Sequence, residues 1–245
     1  MDERAPLGAG GLALLGGFAL HLGDRPLILP RGSQRLLALL ALHERPLQRG
    51  YVAGVLWVDH GEQRSIANLR TALARLPRAS PRLVDVMGRQ LRLSDRVSVD
   101  VREVSTLMRR VIDRDESVIR IRGIHRRLMV DILPDWYDDW VVAEREPYRE
   151  LRLHALETLC HALTAASDYM AAIEAGLAAV AAEPLRETAQ GALIRAHLAE
   201  GNRAAAVLQY RRFSALLDRE LGLAPPSSLT TLIHRCMHED GLRHG

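Results

Sequence analysis

The sequence predicts an α+β winged helix-turn-helix followed by an all-α domain of tetratricopeptide-like helical repeats, and three observations carry that expectation. Residues 62–77, EQRSIANLRTALARLP, have helical periodicity: at about 100° per residue Ile66, Leu69, Leu73 and Leu76 gather on one side and Arg64, Asn68, Thr71 and Arg75 on the other. Two short helical patterns precede this stretch and a strand, turn and strand follow it, which is the order of a winged helix. Beyond Asp100 the patterns are helical, and SDYMAAI from Ser167 and GNRAAAV from Gly201 repeat at an offset of 34 residues.

The expected domains are 1–98, DNA-binding, and 99–245, helical. Between Pro30 and Arg96 twelve arginines stand against five acids, a surplus of seven; with a net charge of +3 the remainder carries −4. Positive potential concentrated in one domain suits a polyanionic partner. The chain contains no lysine, so guanidinium forks are its only permanent cationic donors. With 48% apolar residues, no apolar run near the roughly 18 residues of a membrane span and no signal-peptide order, the chain is expected to be cytoplasmic, with no membrane partner. Cys160 and Cys236 lie in apolar helical patterns without zinc spacing and are expected to be reduced and buried.

Taken in order, Leu12–Leu22 and Pro26–Leu29 read as strands of a small antiparallel sheet around a His21–Arg25 turn. Ser33 is the N-cap candidate for a core helix that Pro46 ends. Leu47–Trp57 is a second short helix, with Trp57 expected as a core wedge, and Val58–Glu62 leads into the arginine-bearing helix, closed by Pro77. LVDV and QLRLS then alternate around Met87, Gly88 and Arg89 as a hairpin with Arg89 at its tip. Val101–Asp113 and Val118–Met129 read as helices. The stretch Asp135–Val141 places two tryptophans among acids and is expected to fill a seam; Asp135, Asp138 and Asp139 are expected to cap a helix and face solvent, not to hold a metal. Val142–Thr164 is a long helix that tolerates Pro147 only in its first turn or at a kink. Two prolines, Pro225 and Pro226, stop the last repeat helix before a capping helix from Leu229.

Arginine bridges guanine O6 and N7 and asparagine bridges adenine N6 and N7, so Arg64, Asn68, Thr71 and Arg75 are the candidates for base readout. Arg35, Arg49, Arg70, Arg78 and Arg89 are candidates for the DNA backbone. The competing reading of each arginine is a solvated side chain. No HExxH, nucleophile arrangement, GxGxxG after a strand or phosphate-binding loop occurs; no enzyme, metal site or cofactor is expected. The other open class is a protein-interaction adaptor whose winged helix has weak or no specific DNA binding.

The stretches QRLLALLALHERPLQRGYVAGVLW, SIANLRTALARL, LPDWYDDWVVAEREPYRELRLHALETL, EPLRE and YRRFSALLDRELGLAPPSSL, in this order, carry a resemblance to the Streptomyces antibiotic regulatory protein type of transcriptional activator. That family joins a response-regulator-like (OmpR/PhoB-like) winged helix to a bacterial transcriptional activator domain. The resemblance covers Leu12–Cys236 and implies a recognition helix over Glu62–Leu76, a wing centred on Gly88 and a polymerase-contacting loop at Val58, Asp59, His60 and Gly61. It implies double-stranded DNA and RNA polymerase (sigma factor or alpha subunit) as partners, with a homodimer on promoter direct repeats. Two departures stand out: Pro77 replaces the family's usual arginine, and the wing, MGRQLRL, lacks the tyrosine common after its glycine. With no receiver segment upstream and no nucleotide-binding module downstream, any phosphorylation switch is expected to come from elsewhere.

Overall fold

A computed structural model describes residues 10–77 and 82–238, in which the chain forms two compact units. The first holds the chain up to Val104 together with Val130–Tyr148, and the second holds Ser105–Met129 and the chain from Arg149. These units are not the contiguous halves 1–98 and 99–245, because a segment of the expected helical half packs with the winged helix.

The first unit begins with β1 (Gly10–Ala13), β2 (Ala19–Leu22) and β3 (Arg25–Pro26), followed by α1 (Arg31–Leu42), β4 (Leu47–Gln48), α2 (Arg49–Leu56) and α3 (Glu62–Ala74). Then come β5 (Val84–Met87), β6 (Gln90–Leu93), β7 (Val97–Val99) and the start of α4 (Asp100–Ile112). One sheet has the order β3-β2-β1-β7, the other β4-β6-β5. The expected strand over Leu12–Leu22 is two strands, since Gly16 and Gly17 take φ values of 75° and 150° that turn the chain between them. The first sheet is mixed, not purely antiparallel, because β7 returns parallel to β1 with Leu12 opposite Val99.

Leu36, Leu37, Leu39 and Leu40 of α1 are buried with Val52, Leu56, Leu69, Leu91 and Leu93. Each such side chain contributes about 1.5–3 kcal/mol relative to exposure. Ser33 is not the N-cap of α1; Pro30 is, and Ser33 lies one turn in, buried, where its hydroxyl donates to the Ala72 carbonyl at 2.9 Å. At the other end of α1 the Arg102 guanidinium donates to the carbonyls of Ala41, Leu40 and His43, partners that a helix C-terminus otherwise lacks. The Asp100 carboxylate accepts from the amides of Leu14 and Leu15 and from Val101 at the head of α4.

Val130–Tyr148 is bound to this unit by backbone and side chain. The Leu133 amide donates to the Leu14 carbonyl and the Gly16 amide to the Asp131 carbonyl. Arg145 gathers the carbonyls of Ile132, Leu133 and Trp136. Trp136 is stacked on Phe18 at 6.0 Å, meets Trp140 edge-on and carries the Arg31 guanidinium over its ring at 3.7 Å. Asp138 does not face solvent: its carboxylate pairs with Arg35 at 2.6 Å and Arg31 at 3.3 Å, while its carbonyl takes the Val141 amide. The seam filled by the tryptophans therefore lies within the first unit.

In the second unit α4 gives way to α5 (Glu116–Ile119) and α6 (Ile124–Leu128), two short helices where one was expected. Gly123, at φ 75°, breaks the run. The helix α7 (Asp139–Ala165) starts in the first unit and continues through Pro147 beyond its first turn. Ala143 and Pro147 are both exposed, so the carbonyl that proline leaves unpaired is on the side open to water. The repeats are α8 (Tyr169–Ala182), α9 (Glu187–Glu200), α10 (Arg203–Leu221) and α11 (Ser227–His238). Asp168 caps α8 through the Ala171 amide, and Asn202, 34 residues on, caps α10 through the Ala205 amide. A Cβ on Gly176 of α8 would lie 3.2 Å from the backbone of Leu193 on α9, so glycine sets how closely that pair packs. Ile194, Phe213, Leu217, Leu229 and Ile233 form the core of the later helices.

Candidate nucleic-acid interface

Two hydroxyl groups fix α3 in the first unit. Ser65 donates within reach of the Trp57, His60 and Gly61 carbonyls at 3.0, 3.2 and 3.3 Å, tying the start of α3 to the end of α2. Ser33 takes the Ala72 carbonyl near the other end. The buried positions of α3 are consequently Ser65, Leu69 and Ala72, whereas Ile66, Leu73 and Leu76 are half-buried. This turns the core face away from the one expected of the leucines and isoleucine alone, because two small residues allow the closest approach.

The outward face follows from that rotation. Gln63, Arg64, Ala67, Arg70, Thr71 and Ala74 are exposed, so Arg70, expected from the sequence to be a backbone candidate, lies on the same face as Arg64. Asn68 is half-buried and, with Thr71 and Arg75, lines a cleft of about 270 Å³ shared with Ser33, Trp57 and His60. Trp57 is thus half-exposed at a cleft wall. The Thr71 hydroxyl donates back to the Ala67 carbonyl at 3.1 Å, leaving its lone pairs and methyl outward. The helix ends at Ala74, before the expected Leu76, and Arg75 occupies its C-cap.

The wing is the antiparallel pair β5–β6, with Met87 opposite Gln90 and Gly88 at φ 58° in the turn. Arg89 is exposed at its tip, and its carbonyl accepts the Arg49 amide at 2.9 Å. Arg49 is half-buried, and with Arg82 it lines a concavity of about 410 Å³ beside Leu73, Leu76 and Val86. Arg82 went unnoticed in the sequence; its place two residues before the wing strand was the available signal. Arg78 lies outside the described residues.

The arginines fall into two groups. Arg31 and Arg35 are held by Asp138, and Arg92 is held by Asp95 at 2.8 Å and Asp85 at 3.7 Å. Arg64, Arg70, Arg75, Arg82 and Arg89 are exposed and have no acidic partner among the described residues. Arg35 thus stands apart from the group it was expected to join. The loop residues Val58, Asp59, His60 and Gly61 are all exposed, Val58 at 76%. Among the described residues no cluster of histidine, cysteine and carboxylate side chains has the makings of a metal site, and no helix is long and apolar enough to cross a membrane.

Residues 130–236 match the family model of the bacterial transcriptional activator domain. That segment, under half of the chain, is what the match covers. A winged helix precedes it, which is the two-module order of the family the sequence resembles. The fold is similar to that of Mycobacterium tuberculosis EmbR, solved in complex with a low affinity phosphopeptide, with a TM-score of 0.76 and 22% identity over 94% of this chain. The chain spans 65% of that structure's length. No curated protein sequence matches the chain significantly. The activator-domain match begins at residue 130, so its first part, through Tyr148, belongs to the compact unit that contains α3.

Proposed function

We propose that the chain is a sequence-specific DNA-binding transcriptional activator that reads the major groove with α3 and steadies the duplex backbone with its wing. The observation that carries this reading is the gathering of exposed, acid-free arginines on α3, at its C-cap, before β5 and at the wing tip. A surface made for solubility alone has no reason to pair the arginines of α1 and β6 while leaving these five open. Phosphate contacts give affinity and register, and Arg64, Asn68, Thr71 and Arg75 supply donors and acceptors for base edges. By the family resemblance, Val58–Gly61 contacts RNA polymerase, through its sigma factor or alpha subunit, and two copies occupy a direct repeat.

Selection by the full chain from a random duplex pool, followed by footprinting on the selected sequence, tests the proposal. A footprint over a direct repeat is the expected result. Equal affinity for selected and random duplexes supports the adaptor instead. The open arginines outside that readout set, Arg70, Arg82 and Arg89, give as phosphate contacts a slope of log affinity against log salt of about −3.

A further inference from the structure

The second unit contains a cavity of about 510 Å³ where the α5–α6 turn faces the last turns of α7 and the start of α8. That volume is within the range of roughly 300–1,000 Å³ typical of small-molecule sites. Ile119, Ile121, Ala162 and Leu163 give it an apolar wall. Ile121 is 42% exposed, so part of that wall is open to an incoming guest.

Charged groups around the cavity are unequally engaged. Glu116 is held by Arg120 at 2.7 Å, Asp168 caps α8, and the His125 imidazole faces the Glu174 carboxylate at 2.9 Å. Arg114 and Arg122 also line the cavity, are exposed, and have no acidic partner among the described residues. Burial, joined by the charges of Arg195 and Arg114 and opposed by Glu157, pushes the nearby His161 imidazole below its ordinary range. An apolar wall with two open guanidinium groups suits a guest that has a hydrocarbon body and one anionic head. Guanidinium forks match the planar carboxylate.

We propose that this cavity binds a small aliphatic carboxylic acid, its carboxylate taken by Arg114 and Arg122 and its hydrocarbon chain lying against Ile121 and Leu163. Octanoate is the probe, titrated calorimetrically into the full chain, with octylamine as the cation of equal length. Octanoate is expected to bind saturably at one site per chain, and octylamine not to bind. The double variant Arg114→Ala, Arg122→Ala should weaken octanoate by about tenfold or more, the scale of a lost charge-assisted hydrogen bond. Ala162→Trp should remove binding by filling the wall; should that variant fail to fold by circular dichroism, the exposed arginine pair decides alone. No saturation at millimolar octanoate, equal binding of octylamine, or an unchanged affinity in the double variant would overturn the proposal.

Discussion

Ser33 on α1 donates its hydroxyl to the Ala72 carbonyl on α3 at 2.9 Å, in the buried interior of the first unit. Ala72 lies in the last turn of α3, where carbonyls have no intrahelical partner. One side chain therefore closes the end of the helix that carries the readout candidates. Ser33→Ala should cost about 1–3 kcal/mol, because it leaves a buried acceptor unsatisfied. Urea denaturation measures this, and a change below a few tenths of a kcal/mol would show that water replaces the hydroxyl.

On a selected duplex, Arg64→Ala and Arg70→Ala should each cost about 1–3 kcal/mol and relax preference at one position if they touch base edges. Arg89→Ala should weaken selected and random duplexes alike and reduce the salt slope by about 1. Anisotropy titrations on both duplexes, at several salt concentrations, separate base contact from backbone contact. Uniform loss for all three variants would make α3 a backbone clamp.

Arg35→Ala should act on folding and leave the salt slope unchanged, since its guanidinium is occupied by Asp138 at 2.6 Å. Removing Asp138 releases Arg31 as well, and Asp138→Asn should lower stability by about 1.5–3 kcal/mol, the range for hydrogen bonds to charged groups. A drop in salt slope for Arg35→Ala with unchanged stability would return Arg35 to the DNA surface.

A fragment ending at residue 98 loses Val130–Tyr148 and with it the stacking partner of Phe18 and the acid that holds α1. It should melt at a lower temperature than the full chain and with lower cooperativity. A fragment ending at residue 148, which retains that segment, should recover part of the loss. Equal melting of the two fragments in calorimetry would show that the segment adds no stability to the winged helix.

Burial pushes the Cys160 thiol up to about 11 from its ordinary 9.0, opposed by a hydrogen bond from Thr164. Since the folded value is the raised one, the contribution to stability is present below pH 9 and is lost as pH rises toward 11. Iodoacetamide at pH 8 should therefore leave Cys160 unmodified in the folded chain and alkylate it after denaturation. Rapid labelling of Cys160 without loss of structure would contradict its burial.

The wing and the existence of α3 were legible because both rest on local signals: alternating side chains around Gly88, and apolar spacing between Glu62 and Pro77. The orientation of α3 was not, since Ser65 and Ala72 have little hydrophobicity and matter through how closely they let other elements approach. Asp138 was read as a local cap for the same reason: its partners Arg31 and Arg35 lie more than a hundred positions earlier, beyond any periodicity. The change of character at Asp100 likewise marked where helices begin, not where the first unit ends. The repeat offset was legible in the sequence, and the structure adds its caps, Asp168 and Asn202, each acting on an amide three residues away.

Those two caps start copies offset by 34 residues, and one pair of equivalent positions sets the copies apart. Counting 34 residues from Gly176 reaches Tyr210, whose hydroxyl bonds to Thr230 at 2.9 Å, where the earlier copy sets a glycine close against the Leu193 backbone. The array consequently has polarity: its glycine joint follows α8 and its aromatic joint follows α10. An engineered duplication would need to copy the order as well as the caps, with glycine-type joints inside and the tyrosine joint kept for the end.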